Sequence, residues 1–302
     1  MVCRNSLSWS IRLISHNRSS VAYGTPPRLR RTHHDVQNPS ISTLFVATNG
    51  TYPANAPVFL ALVTLTDVLD KYLEDAYDLQ KRTDVQGETQ HLDVELELSQ
   101  WEMTLSNDLR RSIIGGSTPQ APGLPNLRLS YLYLKLMARK HAVDRAKAAL
   151  AADVSVLRMA HLHVRRATED VVLFVQELNK AALADFWFPL NAFAFSATVA
   201  LLLRSALEME QSRDHGFAQS PSVKLAHDLL ATLKHHRQES EWDLGDICVA
   251  QYSEVVEKLL NPSEATTSDT LDSIGDGLQL DTFSGADLNW PYPDLWELFT
   301  NR

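Results

Sequence analysis

Between Asp185 and Arg204 lie eighteen residues without a charge, Phe186 to Leu203. A run this apolar admits three architectures: a membrane span, a central buried helix or an aromatic binding pocket. Eighteen residues reach the length at which a helix can cross a bilayer. The content of the run argues against that use. Pro189 and Asn191 stand in its first part and Ser196 and Thr198 in its middle. The segments around it are amphipathic and must bury their apolar faces against something, and a helix that is apolar all round supplies that surface. Pro189 suits a helix start, because its missing N–H would have no partner there anyway. The run therefore predicts a central helix over residues 189–211 and no membrane contact.

Helical periodicity governs the rest of the body. Phe59, Leu62, Leu65, Leu69, Leu73 and Ala76 recur at three- and four-residue steps. Val94, Leu98, Trp101, Leu105 and Leu109 form one stripe, which Gly115-Gly116 ends, and Pro and Gly mark a loop over 117–125. Residues 127–150 read as a largely apolar helix that turns basic near Arg139-Lys140-His141, and 153–184 as one long amphipathic helix. Ser220 and Pro221 have the order of a cap and a first turn, leading a helix to Lys234-His235-His236-Arg237. A last helix spans roughly Trp242 to Leu260, stopped by Asn261-Pro262. No stretch alternates as a strand would. The predicted fold class is all-α, with a disordered N-terminal arm over 1–56, a helical domain over 57–262 and an acidic C-terminal tail over 263–302.

Charge is unevenly spread. The net charge is −9, yet before Pro57 stand six Arg and one acid, Asp35. The arm is Arg- and Ser-rich, a composition shared by disordered segments and mitochondrial transit peptides. Its Arg28-Leu29-Arg30-Arg31 is a short basic cluster of the nuclear-import kind. The acidic remainder does not favour contact with nucleic-acid phosphates. With only Cys3 and Cys248, the chain can build neither a disulfide framework nor a Cys-rich zinc module of its own. Such usage fits a reducing compartment.

No catalytic constellation is legible. His161 and His163 are two residues apart and diverge on a helix, as do His235 and His236. No phosphate loop or nucleophile elbow occurs, and Cys248, beside Ile247 and Val249, reads as a small core residue. The chain is expected not to be an enzyme and to hold no metal or cofactor. Trp101, Phe186, Trp187, Phe193 and Phe195 would either fill the core or line a pocket for an apolar effector. The tail mixes eight acids with bulky apolar residues and has no Lys or Arg before Arg302. That is the composition of amphipathic activation segments. Trp290, Tyr292, Leu295, Trp296 and Phe299 would anchor it, either in a partner's groove or on the helical body.

Several segments together resemble the regulatory, or middle homology, region of the fungal-specific transcription factors of the binuclear zinc-cluster class. Phe186-Trp187-Phe188-Pro189 leading to Leu201-Leu202-Leu203-Arg204-Ser205-Ala206-Leu207-Glu208 carries the likeness most clearly. Leu96-Glu97-Leu98-Ser99-Gln100-Trp101-Glu102 is similar to the family's Trp-containing helix, and Asn126 to Leu136 to the helix after it. Pro293-Asp294-Leu295-Trp296-Glu297 is a further likeness. The resemblance implies an all-α regulatory body in a nuclear transcription regulator. Its partners would be the transcription machinery or co-regulator proteins, a second copy in a homodimer and a small-molecule effector. Family members hold two zinc ions in a six-Cys cluster, which this chain lacks, so direct nucleic-acid contact does not carry over to any residue here.

Overall fold

The computed structural model describes residues 55–77, 93–115, 121–148, 154–210 and 220–261, together with short pieces of the arm at 13–17, 19–20, 38–40 and 42. Among these residues every regular element of the body is helical. In chain order they are α1 (Ala56–Tyr77), α2 (Val94–Thr104), α3 (Asn107–Gly115), α4 (Leu124–Ala148), α5 (Val154–Glu177), the short α6 (Lys180–Leu183), a 3-10 turn (Pro189–Asn191), α7 (Ala192–Glu210), α8 (Pro221–Ser240) and α9 (Asp246–Leu260). The tail anchors Trp290, Tyr292, Leu295, Trp296 and Phe299 lie outside the described residues, as does most of the arm.

Helix α7 is the predicted central helix. Every side chain from Ala194 to Ala200 is buried, including Ser196 and Thr198. Thr198 returns its hydroxyl to the Ala194 carbonyl at 2.6 Å, so its burial strands no donor. Four alanines, at 192, 194, 197 and 200, let neighbours approach, and α7 is flanked by α4, α5, α8 and α9. No described helix is long and apolar enough to cross a membrane.

Neighbouring helices run antiparallel, as their cross-links demonstrate. Between α4 and α5, Arg128 meets Glu177, Lys135 meets Asp170, and Arg139 reaches the His163 carbonyl. One set of numbers rises while the other falls. Trp101 of α2 joins α1 to α4: its indole N–H donates to Thr64 Oγ1 at 2.9 Å, and its ring stacks on Tyr131 at 5.7 Å. Tyr131 in turn donates to Glu102 at 2.5 Å. Burial and that carboxylate push the Tyr131 phenol well above its ordinary range. The described arm pieces also touch α1. Ile14 enters the core, and Asn17 donates to Asp70 at 3.2 Å.

Four boundaries differ from the periodicity. The stripe from Val94 to Leu109 spans two helices, because Leu105 takes an extended conformation (φ −74°, ψ 149°) and the Ser106 hydroxyl accepts from the Leu109 N–H at the next helix start. The predicted helix over 153–184 stops at Glu177; Asn179 then caps a separate turn by accepting from the Ala182 N–H at 2.9 Å. In both cases a short polar side chain competes with the backbone for its own N–H groups. The last helix begins at Asp246 rather than Trp242, and Pro189 opens a 3-10 turn, with α7 starting at Ala192. Ser220 caps α8 as read, accepting from Val223 at 3.2 Å.

The α8–α9 turn requires a glycine for steric reasons. A Cβ on Gly245 would lie 2.7 Å from Leu233 Cδ2 and 3.0 Å from Leu233 Cβ. Its φ of −89° suits any residue, so close approach is the whole constraint. Gly245→Ala is expected to destabilise the protein by about 1–3 kcal/mol in urea unfolding, by overpacking. Combined with Leu233→Ala, the losses should fall short of additive, because the second change removes Leu233 Cδ2 and Cγ, at 2.7 and 3.1 Å, and leaves only Cβ in close approach.

Trp242 sits where α7 and α8 meet the segment that leads into α7. Its ring makes edge contacts with Trp187 at 5.2 Å, Phe195 at 5.8 Å and His236 at 5.8 Å. Its buried indole N–H finds no acceptor among the described residues. Trp242→Ala should cost about 3–5 kcal/mol, as a large cavity does. Trp242→Phe should cost far less, because it keeps an aromatic ring and removes the unpaired donor. Chemical denaturation of both variants checks the contrast.

Candidate functional site

A latch of polar side chains seats the aromatic segment that leads into α7. Asp185 accepts from the Gly123 N–H at 2.6 Å and from its neighbour Phe186 at 2.7 Å. Gly123 has a φ of +82°, a conformation that favours glycine. Asn126 accepts from the Phe188 N–H at 3.3 Å and from the buried Asn191 side chain. The segment 185–191 is thereby fastened to the start of α4.

This seating separates the five aromatic residues singled out by sequence. Trp187 and Phe195 pack on Trp242, and Trp187 also meets Phe174 at 6.4 Å while donating to the Ala182 carbonyl at 3.1 Å. Trp101 belongs to a different pair, with Tyr131. Phe193 is half-buried on α7. Phe186 is 64% exposed and meets Phe188 edge-on at 5.1 Å. Trp101, Trp187 and Phe195 are thus part of the apolar core or pack against it. No aromatic among the five lines the groove described next.

A concave feature among the described residues lies elsewhere. A groove of about 530 Å³ opens between the start of α2, the second half of α4 and the first turns of α5. Arg139 crosses it, held by Glu95 at 3.0 Å and by the His163 carbonyl at 3.1 Å. Arg145, His141 and His163 add polar edges, and Val156 and Met159 an apolar wall. These last two are 56% and 52% exposed, unusual for such side chains on a packed helix. Arg145 has no acid partner among the described residues, and neither do Arg158 and Arg166 on the outer face of α5.

The sequence on either side of the α4–α5 connection is rich in bases. Residues 135–166 hold eight Lys or Arg and only two acids, Asp144 and Asp153, in a chain whose net charge is −9. This excess was available in the sequence; helical periodicity, which attends to apolar positions, passes over it. Of these bases Arg139 and Arg145 line the groove, beside the acids Asp93 and Glu95, and that meeting follows only from the packing of α2, α4 and α5.

Other sequence-selected groups have settled roles. His236 is a core histidine whose Nε2 lies 2.9 Å from the Val175 carbonyl, tying α8 to α5. Cys248 is buried, and burial pushes its thiol up to about 12, against a lowering hydrogen bond from Ser196. Among the described residues no group of three or more His, Cys, Asp or Glu side chains is arranged to hold a metal ion. The chain matches no family model, no curated protein and no solved structure.

His141 gives the groove a pH dependence. Burial lowers its pKa from the ordinary 6.5, reinforced by Arg145 and Lys140 and opposed by Asp75 and Asp144. Its Nε2 is 3.6 Å from Asp75 Oδ2, too long for a hydrogen bond, and its ring meets Tyr72 edge-on. Below the ordinary value the unfolded chain binds a proton that the folded state refuses. Stability should therefore fall as pH drops below 6.5 and level off beneath the depressed folded pKa. Urea unfolding between pH ~7.5 and ~5 should give a shallower slope for His141→Gln than for the unsubstituted protein.

Proposed function

We propose that this chain is the regulatory body of a nuclear transcription regulator, acting through protein contacts rather than through catalysis. The observation that carries the reading is its division of chemistry. A helical body built around an apolar helix is followed directly by a tail of eight acids interleaved with Trp290, Tyr292, Leu295, Trp296 and Phe299. Acids keep such rings solvated until a groove on a partner desolvates them, which is how acidic amphipathic segments engage the transcription machinery or its co-regulators. The resemblance to the zinc-cluster family's regulatory region supports the same reading. Its clearest motif, Phe186 to Glu208, coincides with the latched segment and the central helix α7. Its Trp-containing motif coincides with α2 and its next motif with α4.

A second reading, a helical module that senses a small molecule, is favoured by the groove between α2, α4 and α5. Its pairing of Arg145 with Val156 and Met159 suits an amphipathic anion rather than the apolar effector expected from the aromatic residues.

Fused to a heterologous DNA-binding domain, residues 263–302 should activate a reporter, and Trp296→Ala with Phe299→Ala should abolish that activity while leaving expression unchanged. A silent fusion at normal protein level would remove the activation role.

A further inference from the structure

We infer that the outer face of α5 is a self-association surface, on which a second copy of this chain lays its own α5 antiparallel. This surface is separate from the tail and does not depend on the tail's role.

The spacing of side chains marks the face. Met159, Leu162, Arg166, Glu169, Leu173 and Gln176 follow one another at alternating three- and four-residue steps. That is the seam of a coiled coil, in which such positions stay on one line as two helices wrap. The seam is open to solvent. Met159, Leu162 and Leu173 are 52%, 40% and 53% exposed, Arg166 and Gln176 are exposed, and Glu169 is half-buried. The other face of α5, with Val164, Val171 and Val175, is buried in a body where α5 packs on α4, α7 and α8. A helix that has buried one stripe in its own body ordinarily turns a polar face outward, and three large apolar side chains in register depart from that pattern.

Charge selects the occupant. Arg166 has no acid partner among the described residues, while Glu169 accepts from Arg165 at 3.1 Å. Let two copies of α5 lie antiparallel about the point midway between Arg166 and Glu169. Each Arg166 then stands opposite the partner's Glu169. In the same register Leu162 meets the partner's Leu173, and Met159 meets the partner's Gln176. Farther out, Arg158 comes opposite the partner's Glu177. Two-fold symmetry makes every one of these contacts twice. A parallel pair in register would instead set Arg166 on Arg166 and Glu169 on Glu169, and like charges across an interface are repelled. The face carries both signs in two-fold order, so its own copy is the surface that it matches.

Size sets the strength. The seam runs along about 27 Å of one helix, which places the contact at the small end of specific interfaces, roughly 1,200 Å² or less. Monomer and dimer therefore exchange, and their ratio follows protein concentration.

The test is sedimentation equilibrium on the full chain from about 1 to about 200 µM. The unsubstituted protein should pass from monomer to dimer over this range. Arg166→Glu and Glu169→Arg should each weaken the dimer about a hundredfold, because either change sets like charges face to face twice. An equimolar mixture of the two variants should form a mixed dimer of nearly the original strength, because every facing pair then carries opposite charges. Oxidation should cross-link a Leu162→Cys chain to a Leu173→Cys chain and neither variant to itself, which reports the antiparallel register. Urea unfolding of each variant at low concentration should match that of the unsubstituted protein, since these positions lie outside the core. Four results would each overturn the inference: a monomer throughout the range, a dimer that both charge reversals leave intact, a mixture that stays monomeric, or cross-links of like with like.

Discussion

Everything in this molecule is arranged around a helix that cannot face water. Through its middle, α7 is buried on every side, from Ala194 to Ala200. Such a helix needs partners all round, and α4, α5, α8 and α9 provide them. Its polar residues are admitted because each has a bond to make. Thr198 bonds within its own helix, and Ser196 bonds Gln251 of α9 at 3.1 Å. The entry to α7 is fixed just as firmly. Asp185, Asn126 and Asn191 replace the water that a loop would otherwise need, and they fasten the start of α7 to the start of α4.

That constraint propagates outward. With α7 held against α4 and α5, these two lie antiparallel, and their cross-links fall in sequence from Arg128–Glu177 to Arg139–His163. Beyond the last link a groove opens, and its lining includes Arg145, Val156 and Met159 beside the bonded Arg139 and Glu95. The aromatic residues take the opposite course. Trp187, Phe195 and Trp242 close on one another beside α7, and the unpaired indole donor of Trp242 is tolerated within that packing. Apolar bulk thus goes to the core, while the groove is lined largely by charged and polar groups with two exposed apolar side chains.

Much of the architecture was readable from residue order. The apolar steps of α1, the cap and first turn of α8, the stop after Leu260 and the burial of the middle of the uncharged run, Ala194 to Ala200, all follow from local pattern. Two of the misplaced boundaries share one cause. At Ser106 and Asn179 a side chain captures a backbone N–H and restarts the helix, while the apolar spacing continues across the break because both pieces pack on the same neighbours. Periodicity reports which face is buried, not whether the backbone is continuous. The division of the aromatic residues was equally out of reach. Trp101 and Trp187 are alike in composition, yet one bonds Thr64 and stacks on Tyr131 while the other bonds Ala182 and meets Trp242.

By itself, the amino-acid sequence determined the helical class, the burial of the middle of its uncharged run and the separation of a basic middle from an acidic end. These depend on residue type and on spacing within a few turns, where propensity and amphipathicity act. Only the tertiary structure decided that the aromatics near α7 pack together as core, and that Arg145, Val156 and Met159 face one groove. Those outcomes need side chains far apart in the chain to meet, and the meeting is set by the antiparallel pairing of α4 and α5 against the buried face of α7.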